Sequence, residues 1–171
     1  DALRDHLAAA GGHVDLLLIS HSHYDHALDA PAIARRTGAT IVGSPSTREI
    51  ALGGGIAEQA IRVVGGGERL DAGAFHVTVI RSRHSVPDKV PGAITAPLRG
   101  PATLQDYKEG GTYAFLIEHD GFRMLVHASA NYAPGMYRGV KADVVFLAVG
   151  GLGAQSPEFA QRYWREVVET T

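Results

Sequence analysis

The sequence predicts an α/β (α+β) fold, because strand and helix patterns alternate along the chain. Two short apolar runs, at residues 14–19 and 144–149, are typical of strands buried on both faces. Residues 74–82 alternate apolar with polar or smaller side chains, which predicts a half-buried strand. We therefore expect helices packed in layers on sheets.

The elements follow in order from these patterns and from turn residues. Strands are predicted at residues 14–19, 40–42, 61–64, 68–70, 74–82, 112–118, 122–126 and 144–149. Helices are predicted at residues 2–9, 30–37, 45–52 and 157–170.

Glycine, proline and serine mark the ends of several of these elements. Gly38 ends the second helix, and Ser156 followed by Pro157 is a typical helix start. Asp120-Gly121 lies between two strand patterns and predicts a hairpin turn. Residues 85–110 show no periodicity, so we expect a long loop that shapes access to a site.

Composition limits the function classes. The chain has 171 residues, 45% of them hydrophobic and 20% charged, which fits one globular domain over residues 1–171. A formal net charge of -2 gives no electrostatic reason to expect a nucleic-acid partner. No apolar run is long enough for a transmembrane segment and no signal-peptide pattern opens the chain, so we expect a cytoplasmic location. The oligomeric state stays open.

The most informative motif is His21-x-His23-x-Asp25-His26, directly after the first apolar run. Chance would produce such a match about once in a thousand sequences of this composition. In extended backbone, residues two apart point the same way, so His21 and His23 can bind one cation together. The turn into the next helix then brings Asp25 and His26 to the same rim.

His84 follows the strand predicted at residues 74–82 and supplies a third imidazole. Three protein ligands with an open position are typical of catalytic zinc. The chain has no cysteine, so a metal must be held by histidine and carboxylate groups. We expect one or two Zn²⁺ ions, and the same ligands also suit Mn²⁺ or Fe²⁺.

His21-Ser22-His23-Tyr24-Asp25-His26 resembles the HxHxDH signature of the metallo-β-lactamase superfamily. Tyr24 and the Gly110–Tyr113 segment most resemble its lactonase-like and N-acyl-phosphatidylethanolamine phospholipase D-like branch. The resemblance covers roughly residues 10–150. It implies a four-layer αββα sandwich with the site at one edge of the paired sheets. It also implies that His21, His23 and His84 hold one metal, and that Asp25 and His26 help to hold a second.

The chain departs from the family pattern at the metal-bridging aspartate. After the strand at residues 122–126, Ser129 stands where that aspartate is expected. A neutral hydroxyl is a poor substitute for a bridging carboxylate. His127 could compensate as a ligand, although a structural histidine is the favoured interpretation. The strands that open the family fold and its last histidine are not in the sequence, so we expect a fragment that is incomplete at both ends.

Together these features predict a metal-dependent hydrolase acting on a small-molecule ester, lactone or phosphodiester. The metal would activate water, and Asp25 would orient that water or bind a second metal. The alternative is a metal-binding domain of the same fold without hydrolytic activity, which Ser129 favours. A diiron oxidoreductase would prefer a carboxylate at position 23, so His23 argues against that class.

Overall fold

The computed structural model describes residues 11–171, which divide into two compact units. Of the described residues, the first unit contains residues 11–64 together with Gly92–Gly110. The second unit contains Gly65–Pro91 and Gly111–Thr171. The helix predicted at residues 2–9 lies outside the described residues.

The first unit is built on a parallel three-stranded sheet in the order β1-β2-β3. Its strands are β1 Leu16–Leu18, β2 Thr40–Gly43 and β3 Ile61–Val63. Its helices are α1 Tyr24–Ala27, α2 Ala30–Thr37 and α3 Pro45–Gly53, with a 3₁₀ turn at Glu58–Ala60 and another at Leu104–Asp106. Small and branched apolar side chains form its core, including Ala27, Ala34, Ile41 and Ile50.

The helix boundaries of the first unit follow from single residues. Gly38 ends α2 with a left-handed backbone at φ 77°, a conformation that costs little without a Cβ. At the start of α3, the Ser44 hydroxyl accepts a hydrogen bond from the Thr47 N–H, and Pro45 takes the first helical position. Both boundaries confirm the sequence predictions.

The second unit contains a five-stranded sheet in the order β4-β5-β6-β7-β8. Its strands are β4 Arg69–Ala72, β5 Phe75–Arg81, β6 Tyr113–His119, β7 Phe122–His127 and β8 Val144–Leu147. The pairs from β4 to β7 are antiparallel, and β7 pairs with β8 in parallel. Asp120 and Gly121 join β6 to β7 with φ values of 49° and 80°, which confirms the predicted hairpin.

The last helix completes the second unit. Helix α4, Pro157–Trp164, starts at Ser156, whose hydroxyl accepts from the Phe159 N–H, and it continues as a π-helical turn at Arg165–Glu169. A 3₁₀ turn, Leu152–Ala154, precedes it. Tyr163 and Val167 are buried in the core of this unit and Phe159 packs against them, as their spacing predicts.

Two strands are less buried than the sequence predicts. β1 is half-buried, since it lies at one edge of the three-stranded sheet as far as the structure describes it. β8 is at the edge of its sheet and alternates in exposure, with Val144 41% and Phe146 58% exposed. The prediction that both runs are buried on both faces was therefore wrong. An apolar run alone does not separate a central strand from an edge strand.

The predicted long loop divides between the two units. Residues 85–91 belong to the second unit, and Gly92–Gly110 belongs to the first, where the Gly110 N–H donates to the Gly92 carbonyl at 2.8 Å. We call the segment Gly92–Gly110 the necked loop. Within residues 11–171, no helix has both the length and the apolar character needed to cross a membrane.

Gly110 closes the necked loop in a position that excludes a side chain. Its backbone is left-handed at φ 69°, and a Cβ placed on it would lie 2.2 Å from Ser22 Oγ and 2.4 Å from Ser46 Cβ. The backbone of the loop at Gly110 therefore packs directly against Ser22 of the histidine motif and against Ser46.

We expect Gly110→Ala to lower the free energy of unfolding by roughly 2–5 kcal/mol, about 1–2 from the left-handed backbone and about 1–3 from overpacking. Gly55→Ala is the matched control, because Gly55 has φ 80° and open space where its Cβ would lie. Urea unfolding of both variants measures the difference. Equal losses would show that the close approach at Gly110 carries no cost.

Candidate metal centre

Strand β1 delivers the histidine motif to the carboxyl end of the parallel sheet. The Ile19 N–H donates to the Val42 carbonyl at 2.8 Å, which extends the pairing of β1 with β2 up to the motif. The chain then leaves the sheet, and His21 is only 2% exposed. The carboxyl ends of parallel strands are the usual place for a binding site in α/β proteins.

The Ser20 hydroxyl holds two imidazoles of the motif. Its Oγ lies 3.1 Å from His21 Nδ1 and 3.2 Å from His26 Nδ1. A serine hydroxyl has one proton to donate, so at least one of these rings must carry its own proton on Nδ1. In a neutral imidazole protonated there, Nε2 has the lone pair that a metal requires.

The other side chains of the motif gather around His21. Its ring centroid lies 5.0 Å from that of His23 and 3.9 Å from that of His26. Helix α1 begins after His23, and the His26 N–H donates to the His23 carbonyl at 3.0 Å, so this turn folds His26 back toward His21. Asp25 is exposed, with its Oδ2 3.7 Å from His26 Nε2.

The necked loop is anchored to the middle of the motif. The Glu109 carbonyl accepts from both the N–H and the hydroxyl of Ser22, each at 3.0 Å. At the other end of the loop, the Ile94 N–H donates to Ser46 Oγ at 2.8 Å. Tyr107 packs against the core of the first unit, and burial together with the nearby charge of Asp29 raises its pKa. The loop therefore runs beside the histidines in the first unit.

His84 lies in the second unit, three residues after β5. Its Nδ1 contacts the Ser85 carbonyl at 2.9 Å, and Asp88 Oδ2 is 3.9 Å from the same nitrogen. A carbonyl only accepts, so this contact places the proton on Nδ1. The His84 ring thereby adopts the tautomer that presents a lone pair at Nε2.

His127 and Ser129, the two candidates for the position of the bridging aspartate, are both engaged within the second unit. His127 is fully buried, with Nδ1 against the Tyr137 hydroxyl and Nε2 2.8 Å from the Asn131 carbonyl. Burial lowers the pKa of its imidazole. The Ser129 hydroxyl accepts from the Ser85 N–H at 2.9 Å. These contacts support a structural role for His127.

The donor set in the first unit fits a borderline divalent cation. It combines imidazoles, two of them hydrogen-bonded at Nδ1 to a neighbouring hydroxyl, with one exposed carboxylate, and it contains no thiolate. Such ligands bind zinc and also manganese or iron. In metal sites, a hydrogen bond to the ring nitrogen that does not bind the metal regularly orients a ligating histidine.

Comparison with known proteins agrees with this geometry. The family described as the beta-lactamase superfamily domain matches residues 3–168. The chain belongs to this family. A UPF0173 metal-dependent hydrolase of Cupriavidus necator is 29% identical over 170 residues, which cover 94% of the chain and 56% of that relative. The chain thus spans just over half the length of the relative.

The chain is also similar in sequence to a second relative and similar in fold to a solved structure. A ribonuclease J of Methanocaldococcus jannaschii is 30% identical over 105 residues, covering 57% of the chain and 23% of the relative. The metallo-beta-lactamase fold protein YhfI of Bacillus subtilis superposes with a TM-score of 0.56 at 17% identity, covering 96% of this chain and 66% of its own. The predicted metallo-β-lactamase fold is therefore confirmed.

Sequence reasoning missed two residues that organise the histidines. Ser20 precedes the motif and looks like an ordinary strand-end serine, and Asn131 lies in an irregular segment. A hydroxyl one residue before a histidine cluster at a strand end is a usable signal for Ser20. Asn131 carries no local signal, because its partner His84 is 47 residues away in the chain.

The buried His127 makes stability depend on pH. Its pKa is lowered in the folded state, so the unfolded chain takes up a proton first as pH falls below about 6.5. The contribution of the neutral, buried His127 to the free energy of unfolding is fully present above about pH 6.5. It is lost below that pH, by up to about 1.4 kcal/mol per pH unit. We expect His127→Gln to flatten this part of the pH profile.

Urea unfolding at about pH 7.5 and about pH 5.5 measures the effect for the wild-type protein and the variant. His119→Gln, at a partly exposed histidine of β6, is the control and should keep the wild-type slope. If the stability of His127→Gln falls with pH as steeply as that of the wild type, His127 is not the source of the pH dependence.

Proposed function

We propose that this chain carries the metal centre of a metal-dependent hydrolase. His21, His23 and His84 would hold one divalent cation, with Zn²⁺ as the first candidate, and Asp25 with His26 would contribute to a second. The observation that carries the proposal is the gathering of three motif imidazoles in the first unit, two of them held at Nδ1 by Ser20. The C. necator relative, named a metal-dependent hydrolase, supports it.

The chemistry divides between the cation and the protein. When bound, a divalent cation of this kind makes water nucleophilic at neutral pH and polarises the oxygen under attack. The Ser85 carbonyl keeps a ring proton of His84 at Nδ1, and Ser20 does so for at least one of its two histidines, which would leave Nε2 of those rings to bind the cation. Asp25 would orient the attacking water as an exposed proton acceptor, or bind the second cation.

The necked loop would form one wall of the substrate site. Ile94 and Leu98 pack against the core of the first unit, so they hold the loop in place. Leu104 is 46% exposed and is available to an apolar part of a substrate. An ester, a lactone or a phosphodiester remains the proposed substrate class. The similarity to a protein named ribonuclease J adds RNA, a natural phosphodiester, to the substrates to be tested.

The competing function is metal binding without hydrolysis. Ser129 favours it, because its hydroxyl is engaged with the Ser85 N–H and supplies no anionic ligand. A protein of this kind would bind a cation at the histidines and turn over no substrate. Metal content and activity, measured on the same preparation, separate the two functions.

We expect the purified protein to contain about one or two equivalents of zinc and to hydrolyse a chromogenic ester, lactone or phosphodiester, or a short RNA. Chelation should abolish the activity and added zinc should restore it. His21→Ala should lower metal affinity at least about 100-fold. His13→Ala is the control, since His13 is exposed and pairs with Asp15 in the same unit. Tight metal binding with no turnover of any substrate would establish the competing function.

Ser20→Ala should lower metal affinity by about 10- to 100-fold, because it releases the rings of His21 and His26. Ser20→Thr keeps the hydroxyl and should recover most of the loss. Ser22→Ala is the control in the same motif, because its hydroxyl donates to Glu109. Chelator competition gives the affinities. An equal loss in the Ser20 and Ser22 alanine variants would mean that packing, rather than ring orientation, is responsible.

A further inference from the structure

The segment Ser129–Asn131 holds the backbone of His84 at two neighbouring points. The Ser129 hydroxyl accepts from the Ser85 N–H at 2.9 Å. The Asn131 amide Nδ2 donates to the His84 carbonyl at 2.7 Å. The carbonyl and the N–H of the single peptide group between His84 and Ser85 are thus each fixed by a side chain more than forty residues away.

Hydrogen bonds also fix the segment Ser129–Asn131 itself. The Asn131 N–H donates to the Ser129 carbonyl at 2.8 Å, and Asn131 Oδ1 accepts from the Tyr132 N–H at 2.8 Å. The Asn131 carbonyl accepts from Nε2 of the buried His127, whose other nitrogen meets the Tyr137 hydroxyl. Both polar groups of the Asn131 side chain and its backbone carbonyl are therefore engaged, and the segment is tied to the core.

We propose that Asn131 and Ser129 are positioning residues for His84. They fix the short loop after β5 so that the His84 imidazole projects in one direction, with its Nδ1 held by the Ser85 carbonyl. A histidine on an unrestrained loop would lose conformational entropy on binding a cation, and prior fixation removes that cost. Ser129 therefore has a role at the metal centre without acting as a ligand. This inference rests on the proposed role of His84 as a metal ligand.

Asn131→Asp is the principal variant. It is nearly isosteric and keeps the acceptor for the Tyr132 N–H, but it replaces the donor facing the His84 carbonyl by a carboxylate oxygen. Ser129→Ala removes the acceptor for the Ser85 N–H, and Ser129→Thr retains it. Ser82→Ala is the matched control, because the buried Ser82 hydroxyl has no hydrogen-bond partner among the described residues.

The first readout needs no metal. Amide hydrogen exchange at Ser85 in the metal-free protein should accelerate in Ser129→Ala, and it should keep its wild-type rate in Ser129→Thr and Ser82→Ala. The second readout is Co²⁺ affinity and the Co²⁺ absorption spectrum. Asn131→Asp and Ser129→Ala should each lose about 10- to 100-fold in affinity. Their spectra should shift toward that of His84→Ala.

The outcomes separate this inference from the proposed function. If His84→Ala loses Co²⁺ affinity while Asn131→Asp and Ser129→Ala bind like the wild type with an unchanged spectrum, the positioning role is overturned and the ligand role of His84 stands. If His84→Ala binds Co²⁺ like the wild type, the ligand role fails, and the positioning role fails with it. Unfolding midpoints of all variants show whether an affinity loss merely follows a loss of global stability.

Discussion

The parallel pairing of β1 with β2 is the constraint on which the histidine motif depends. The register pairs Leu16 with Thr40, Leu17 with Ile41 and Leu18 with Val42. The hydrogen bond from the Ile19 N–H to the Val42 carbonyl extends this pairing to the carboxyl end of β1. A slip of one residue would turn every side chain of β1 to the opposite face. The register therefore fixes the position of Ser20, whose hydroxyl lies within hydrogen-bonding distance of both His21 and His26.

Each unit organises its histidines by the same physical means, although the groups differ. In the first unit a side-chain hydroxyl meets Nδ1 of two rings, and in the second a backbone carbonyl meets Nδ1 of one. Both arrangements give a ring nitrogen a hydrogen-bond partner, and an unsatisfied nitrogen on a buried ring such as His21 would be costly. The hydrogen bonds that orient the rings thus also satisfy buried polar groups.

The sequence predicts most of the fold because the deciding interactions are local. Gly38, Ser44, the Asp120-Gly121 turn and Ser156 each set a boundary through their own backbone or side chain, and the structure places those boundaries as predicted. The burial of β1 and β8 was not predictable in this way, since it depends on the order of strands in a sheet. Composition cannot distinguish an apolar edge strand from a central one.

The candidate site shows the same division between local and distant information. The HxHxDH spacing is a local pattern, and it identified His21, His23, Asp25 and His26 as candidate ligands. The contact that Ser129 makes was not accessible from the sequence, because a family pattern says which residue is expected at a position and not what a different residue contacts there. Its contact with the Ser85 N–H joins segments 44 residues apart, and only the folded structure reveals it.

The necked loop has a consequence for divergence among related proteins. Its two ends meet through the hydrogen bond between Gly110 and Gly92, and its anchors at Ser22 and Ser46 belong to the same unit. The residues between the anchors can therefore change in number and kind while the hydrogen bond between Gly110 and Gly92 is kept. Doubling the length of a flexible loop costs only about 0.6 kcal/mol in closure entropy. Selection can thus vary this stretch by insertion and deletion while the elements that carry the histidines stay unchanged.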